Sequence, residues 1–348
     1  MLKGRGAQKQ VKNRFLQHEY VVEHLEGLDE PLIENSRTQY INIYPKSIVN
    51  KVDSPDVGMD YSLNPYQGCE HGCIYCYARN SHEYWGYGAG LDFERVILVK
   101  QKAPLLLEKH LQNPNWSPKP IVLSGNTDCY QPIERKLKIT RSLLAVFLKY
   151  RHPVGMITKN VTVTRDLDII GPLADLNLFA LNFSITTLDE NIRRKLEPRT
   201  ASSKAKLAAI KKLTDHGVPV KVMVGPVIPG LNDHEIPEIL AAAADAGAYG
   251  AGYTMIRLNG AIGGIFEDWI QQAFPDRAEK VLNQIKGAHG GTLNDSRFGL
   301  RMSGEGRMVE SIHRLIQLSR AKYFKGAGSP SLRTDLFVRT NRGQMGIF

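Results

Sequence analysis

The sequence predicts an α/β fold built as an open partial (β/α)6 barrel, and three observations lead there. Short apolar runs of strand length recur between residues 63 and 256. Segments with apolar spacing near 3.6 separate these runs, at distances that suit parallel strands joined by right-handed crossovers. The count reaches six βα units, too few to close an eight-stranded barrel.

In chain order, the first strand lies around Leu63-Asn64-Pro65-Tyr66, directly ahead of a cysteine-rich loop. The next five are Ile121–Gly125, Val154–Lys159, Leu178–Ile185, Val218–Val224 and Gly252–Ile256. Helical periodicity over residues 135–150, 166–177, 203–216 and 234–246 supplies the crossovers. The barrel is expected over residues 56–260, between a basic, partly ordered N-terminal arm (1–55) and a helical basic C-terminal extension with a flexible tail (261–348). Reactive groups of βα barrels gather at the C-terminal ends of the strands. The sequence puts the cysteine loop, Gly125-Asn126, Lys159, Ser184 and Gly225-Pro226 there.

With 348 residues, 42% of them hydrophobic, the chain can bury a large core. It has no run of eighteen apolar residues, and Met1-Leu2-Lys3-Gly4-Arg5 lacks the apolar stretch of a secretion signal. A cytoplasmic location without membrane contact is the expectation. The net charge of +10 sits at the ends: residues 1–20 carry +4 and residues 286–348 carry +7. Such ends suit a polyanionic partner such as nucleic acid, or form a solvated basic surface.

Only four cysteines are present, and three of them stand within Cys69-Glu70-His71-Gly72-Cys73-Ile74-Tyr75-Cys76-Tyr77. That clustering argues against a disulfide framework. Thiolates are the usual ligands of iron–sulfur clusters, and three of them can hold only three irons of a four-iron cubane, leaving one iron open. Structural zinc, with Cys129 or His71 as fourth ligand, is the rival reading. It favours two separated ligand pairs, which this loop lacks.

The Cys-x3-Cys-x2-Cys spacing, with Tyr75 before the third cysteine, resembles the radical SAM enzymes. Further stretches extend the likeness over about residues 55–260: Asn64 through Arg79, Gly90-Leu91-Asp92-Phe93, Thr127–Arg135, Ile157-Thr158-Lys159, Arg165-Asp166, Ser184–Thr187, Glu197-Pro198-Arg199-Thr200 and Ile228–Asp233. Together they resemble the branch related to spore photoproduct lyase. The resemblance implies a [4Fe-4S] cluster on Cys69, Cys73 and Cys76, with S-adenosylmethionine lying across the strand tips. Backbone groups of Tyr75, Tyr77 and Gly225-Pro226 would meet the adenine, and Gly125 and Asn126 the methionyl amine. Lys159 would pair the carboxylate, and Ser184 would meet ribose or carboxylate. It also implies a reducing electron donor and hydrogen abstraction by a 5′-deoxyadenosyl radical. The expected substrate is nucleic acid, with damaged DNA as its candidate form; a protein or a small molecule is the alternative, and a non-enzymatic zinc module binding nucleic acid is the rival of another class. Spore photoproduct lyase places a hydrogen-donating cysteine where this chain has Gly125. Cys129, four residues on, is the candidate for that catalytic role, and a buried packing role is its alternative.

Glu134, Arg135, Arg199 and Arg257, near strand ends, are candidate partners for a phosphorylated substrate or members of ordinary salt bridges. The final Gln344-Met345-Gly346-Ile347-Phe348 resembles the peptides that bacterial proteins insert into the DNA sliding clamp, the alternative being a tail folded back on its own barrel.

Overall fold

A computed structural model describes residues 4–16, 37–325, 328 and 330–339. The clamp-like tail at Gln344–Phe348 lies outside the described residues.

The described strands are β1 (Gln39–Asn42), β2 (Val49–Lys51), β3 (Tyr61–Leu63), β4 (Tyr66–Gln67), β5 (Val96–Val99), β6 (Ile121–Leu123), β7 (Val154–Thr158), β8 (Phe179–Ser184), β9 (Val220–Val227) and β10 (Gly250–Met255). Seven of them form one sheet in the order β10-β9-β8-β7-β6-β3-β2. β3, β6, β7, β8, β9 and β10 run parallel, which is the six-strand open barrel expected, and β2 adds an antiparallel edge on β3.

Alternation sets the two faces of this sheet. In β7, β8 and β9 the buried set Val154, Met156, Phe179, Leu181, Phe183, Val220, Val222 and Val224 packs under the crossover helices. Those helices, Ile139–Lys149, Leu167–Asp175, Ser203–Asp215 and Ile236–Asp245, bring Leu143, Phe147, Ile170, Leu173, Ile210, Leu213, Ile239 and Leu240 to the same core. The alternate residues Gly155, Ile157, Asn182, Lys221 and Met223 are half-buried on the other, concave face. Helix boundaries follow local chemistry. Ser202 caps Ser203–Asp215 by accepting the Ala205 amide, and Gly217 at φ 73° turns the chain out of it.

The first strand departs from expectation. Pro65 offers no amide, and the chain bends at Asn64-Pro65, so β3 stays in the barrel while β4 joins a second sheet of order β1-β5-β4. After the barrel, helix Ile262–Ala273 turns Ile265, Phe266, Trp269 and Ile270 onto an apolar cluster that contains Cys73, Ile74 and Tyr75. Helix Arg307–Tyr323 covers the barrel core with Val309, Ile312 and Ile316.

Candidate cluster and cofactor site

The loop between β4 and the short 3-10 helix Tyr77–Trp85 carries the three cysteines. Two glycines let it fold tightly. Gly68 has φ 78° and Gly72 φ 68°, and a Cβ on Gly68 would stand 2.5 Å from the Val96 carbonyl oxygen. Backbone bonds pin the loop on several sides: Cys69 N donates to Phe93 O at 2.8 Å, and Ile74 N to Leu196 O at 3.1 Å. The Gln131 side chain accepts from Glu70 N at 3.0 Å and donates to Gly68 O at 3.1 Å, while a Glu70 carboxylate oxygen accepts from Ile133 N at 3.1 Å.

Arg79 braces the loop from below. Its Nε donates to Cys73 O at 3.0 Å and its terminal nitrogen to Glu94 at 2.6 Å, with both side chains fully buried. The same Glu94 accepts from Gly6 N at 3.0 Å and Ala7 N at 2.8 Å. The described stretch 4–16 therefore packs on the cysteine loop, so tightly that a Cβ on Gly6 would meet Gly72 O at 1.7 Å. Arg199 completes the clasp through Gly4 O at 3.0 Å. Removing one member of a buried ion pair leaves its partner uncompensated, at a cost of about 3–5 kcal/mol, and each 1.4 kcal/mol is about tenfold in an opening equilibrium. In Glu94→Ala apoprotein, a chromogenic disulfide reagent is therefore expected to label the loop thiols at least about tenfold faster than in wild type, and equal rates would contradict the bracing role.

Four strand tips face this loop. Tyr77 donates its hydroxyl to Gly125 O at 2.6 Å, laying its half-exposed ring against the tip of β6. Its crowded surroundings push the phenol up to about 12, so it stays protonated and able to donate at neutral pH. Asn126 is tied down by its side chain, which donates to Gln67 Oε1 at 3.1 Å and Ser81 Oγ at 3.0 Å, and by its amide to Asn64 at 2.9 Å. Lys159, after β7, donates to the Tyr75 hydroxyl at 3.0 Å. Ser184 ends β8 buried. Gly225, joined to Pro226 by a cis peptide bond, lies late in β9 with its carbonyl oxygen 3.2 Å from Thr186 Oγ1. Cys129 lies elsewhere: its side chain is fully buried in the barrel core, apart from the apolar clusters that hold the loop cysteines, and its amide donates to Ser124 Oγ at 2.7 Å.

Beneath Tyr75 is a polar network that sequence reasoning missed. Glu197, fully buried, accepts from the Tyr75 hydroxyl, from Thr186 at 2.7 Å, from Lys206 at 2.9 Å and from Thr200 at 3.2 Å, with Lys159 at 3.5 Å. Burial alone would raise its pKa, but Lys206 and Lys159 hold the carboxyl well below the usual range. Burial likewise opposes the Lys159 charge, and Cys73, Tyr75 and Glu197 more than restore it. His71 is enclosed too. Its Nε2 lies 3.1 Å from the Asn160 amide and its Nδ1 3.5 Å from Asp128, while burial keeps its pKa below the ordinary value and hence the ring neutral. The sequence signal for this layer is that Asp128, Thr186, Glu197 and Thr200 fall inside the motif-like stretches, whereas Lys206 and Asn160 lie outside them.

Of the other charged candidates, Glu134 is buried against Tyr66 and Arg165 at 3.0 Å, and Arg199 holds Gly4 and Glu70. Arg135 reaches Thr162 at 3.5 Å.

The donor set suits an iron–sulfur cluster. All three loop thiols are free and mostly enclosed, and burial raises their pKa values, that of Cys73 to about 12. Such thiols ionise when a bound metal supplies the compensating charge. Among the described residues no three His, Cys, Asp or Glu side chains converge on a single-ion site.

The model of the radical SAM superfamily matches residues 63–243, just over half of the chain. The chain belongs to the radical SAM superfamily. The uncharacterized protein Rv2578c of Mycobacterium tuberculosis is 32% identical over 234 residues, which cover 66% of this chain and 69% of that protein. MJ0683 of Methanocaldococcus jannaschii, likewise uncharacterized, is 28% identical over 251 residues, 72% of this chain and 89% of its own. Among solved structures, spore photoproduct lyase complexed with dinucleoside spore photoproduct superposes with a TM-score of 0.57 at 15% identity, covering 84% of this chain and 82% of that one. This last likeness is one of fold. Radical SAM membership carries with it a [4Fe-4S] cluster and S-adenosylmethionine as the family's cofactors.

Proposed function

We propose that this radical SAM protein is a cytoplasmic enzyme that reductively cleaves S-adenosylmethionine and acts on nucleic acid. The observation that carries the chemistry is one arrangement: three enclosed thiols on a loop whose tyrosines bond directly to two strand tips, Tyr77 to Gly125 and, through its hydroxyl, Tyr75 to Lys159. Cys69, Cys73 and Cys76 would hold the cluster, and Gly125, Asn126, Lys159, Ser184 and Gly225-Pro226 line the face on which the cosubstrate would lie. When bound, the cluster supplies the electron that splits the sulfonium, releasing a 5′-deoxyadenosyl radical to take a substrate hydrogen.

The chain's own residues orient and exclude. The clasp of residues 4–16 on the loop and the apolar packing of helix Ile262–Ala273 keep water from the cysteine side. Lys159 presents a positive charge at the tip of β7 and is held there by Tyr75 and Glu197, which suits it to a carboxylate.

Support for nucleic acid comes from the resemblance, from the basic chain ends and from exposed aromatics beside the loop. Tyr84 and Phe15 stand with ring centroids 4.9 Å apart, Arg14 lies 4.7 Å over Phe15, and Trp85 and Tyr77 are exposed on the same 3-10 helix. Exposed rings with nearby cations suit stacked bases.

The test is anaerobic reconstitution with iron and sulfide, then dithionite reduction with S-adenosylmethionine, with and without single-stranded or ultraviolet-irradiated DNA. The expected result is 5′-deoxyadenosine formation that nucleic acid accelerates. No 5′-deoxyadenosine would overturn the enzyme, and formation indifferent to nucleic acid would overturn the substrate.

A further inference from the structure

The sheet is open between its end strands β10 and β2, and the segment 297–303 spans the gap. Met255 N at the end of β10 donates to Met302 O at 3.0 Å. On the far side Gly299 N donates to Asp56 at 2.9 Å, and Arg301 binds Asp56 and donates to Ser54 Oγ at 2.6 Å. Arg257, two residues beyond β10, sits at this bridged opening. Among the described residues its guanidinium reaches Met302 Sδ alone, at 3.6 Å, and neither its buried Nε nor the buried side-chain oxygen of nearby Asn259 has a hydrogen-bond partner. Among the described residues the one carboxylate whose field reaches Arg257, that of Asp56, is already bonded by Arg301 and Gly299, so two guanidiniums share it. Arg257 follows the C-terminal end of β10, and reactive groups of βα barrels gather at that end of the strands.

A permanently charged, half-buried fork whose described acceptor is one weak thioether sulfur is costly unless a ligand supplies better ones. The surplus positive charge of the pair favours a multiply charged anion, and the planar fork matches a phosphate oxygen pair. We propose that Arg257 is an anion receptor at the lateral opening of the barrel, holding a phosphoryl group of the substrate. This deepens, and for its nucleic-acid source rests on, the function proposed above.

Full-length wild type, Arg257→Gln and Arg257→Lys, matched for thermal melting, are titrated with a fluorescein-labelled single-stranded 12-mer across a salt series, and by calorimetry with inorganic phosphate. The expected result is at least about tenfold weaker oligonucleotide binding by Arg257→Gln, with the log–log salt slope smaller by about 0.7. Arg257→Lys is expected to keep the slope and lose severalfold in affinity. Oligonucleotide binding unchanged in both variants overturns the role of Arg257 and leaves the nucleic-acid reading standing. If wild type ignores the oligonucleotide but binds phosphate through Arg257, the receptor stands and the nucleic-acid source falls. Binding of neither overturns both. Should Arg257→Gln fold poorly, Arg257→Lys decides alone, because unchanged affinity there contradicts a bidentate fork.

Discussion

Glu197→Ala is expected to destabilise the protein by about 3–5 kcal/mol, the cost of leaving a buried charge without its partner. The stranded group is Lys206, whose ammonium is as deeply buried as the carboxylate it pairs with at 2.9 Å. Tyr75, Thr186 and Thr200 lose an acceptor in the same step, and Lys159 loses one of the groups that hold it at the tip of β7. The variant should therefore show a lower denaturation midpoint. The pH dependence has a definite sign. Since the folded carboxyl titrates well below the ordinary glutamate value, its stabilisation is complete above that value and fades as pH falls from there toward the lower folded pKa. Wild type should lose stability through that acid window, and Glu197→Ala should lack that component. An unfolding free energy within about 0.5 kcal/mol of wild type at neutral pH would show that the network carries no such load.

Much of this architecture was legible because the barrel strands obey simple patterns. β7, β8 and β9 alternate buried and half-buried residues, and the crossovers repeat at helical spacing. The three cysteines were legible by proximity in sequence alone. What escaped is what contacts distant in sequence decide. β1 has a mostly exposed, polar sequence, and its strand state comes from pairing with β5, more than fifty residues later. The split of the first strand into β3 and β4 follows from a bend whose Asn64 and Pro65 carbonyls are taken by Lys100. Residues 4–16 read as an irregular arm because their partners, Glu94, Gly72 and Glu83, lie some seventy to ninety positions away. Glu197 and Lys206 stand nine residues apart and look like ordinary helical-surface charges until folding closes them under Tyr75. The candidates Lys159 and Tyr77 were found by position, but that Lys159 bonds Tyr75 and Tyr77 bonds Gly125 is visible only in three dimensions.

The largest expected effect on activity belongs to Cys73. Its sulfur is enclosed in an apolar cluster with Ile74 and Tyr75, its carbonyl is fixed by Arg79, and the other two loop thiols are themselves proposed ligands, so the loop holds no spare. Cys129, the remaining cysteine, is locked in the barrel core. Cys73→Ala should leave the fold near wild-type stability, because a small side chain replaces a small one, while abolishing the four-iron cluster and with it all S-adenosylmethionine cleavage. Iron content, visible absorption and 5′-deoxyadenosine all report on that loss.

The most direct measurement is electron paramagnetic resonance of the anaerobically reconstituted, dithionite-reduced protein before and after adding S-adenosylmethionine. An iron corner without a protein ligand predicts a cluster signal whose g-values change on addition, and no signal in Cys73→Ala. A signal indifferent to S-adenosylmethionine, a signal retained in the variant, or a colourless protein holding zinc would contradict the account.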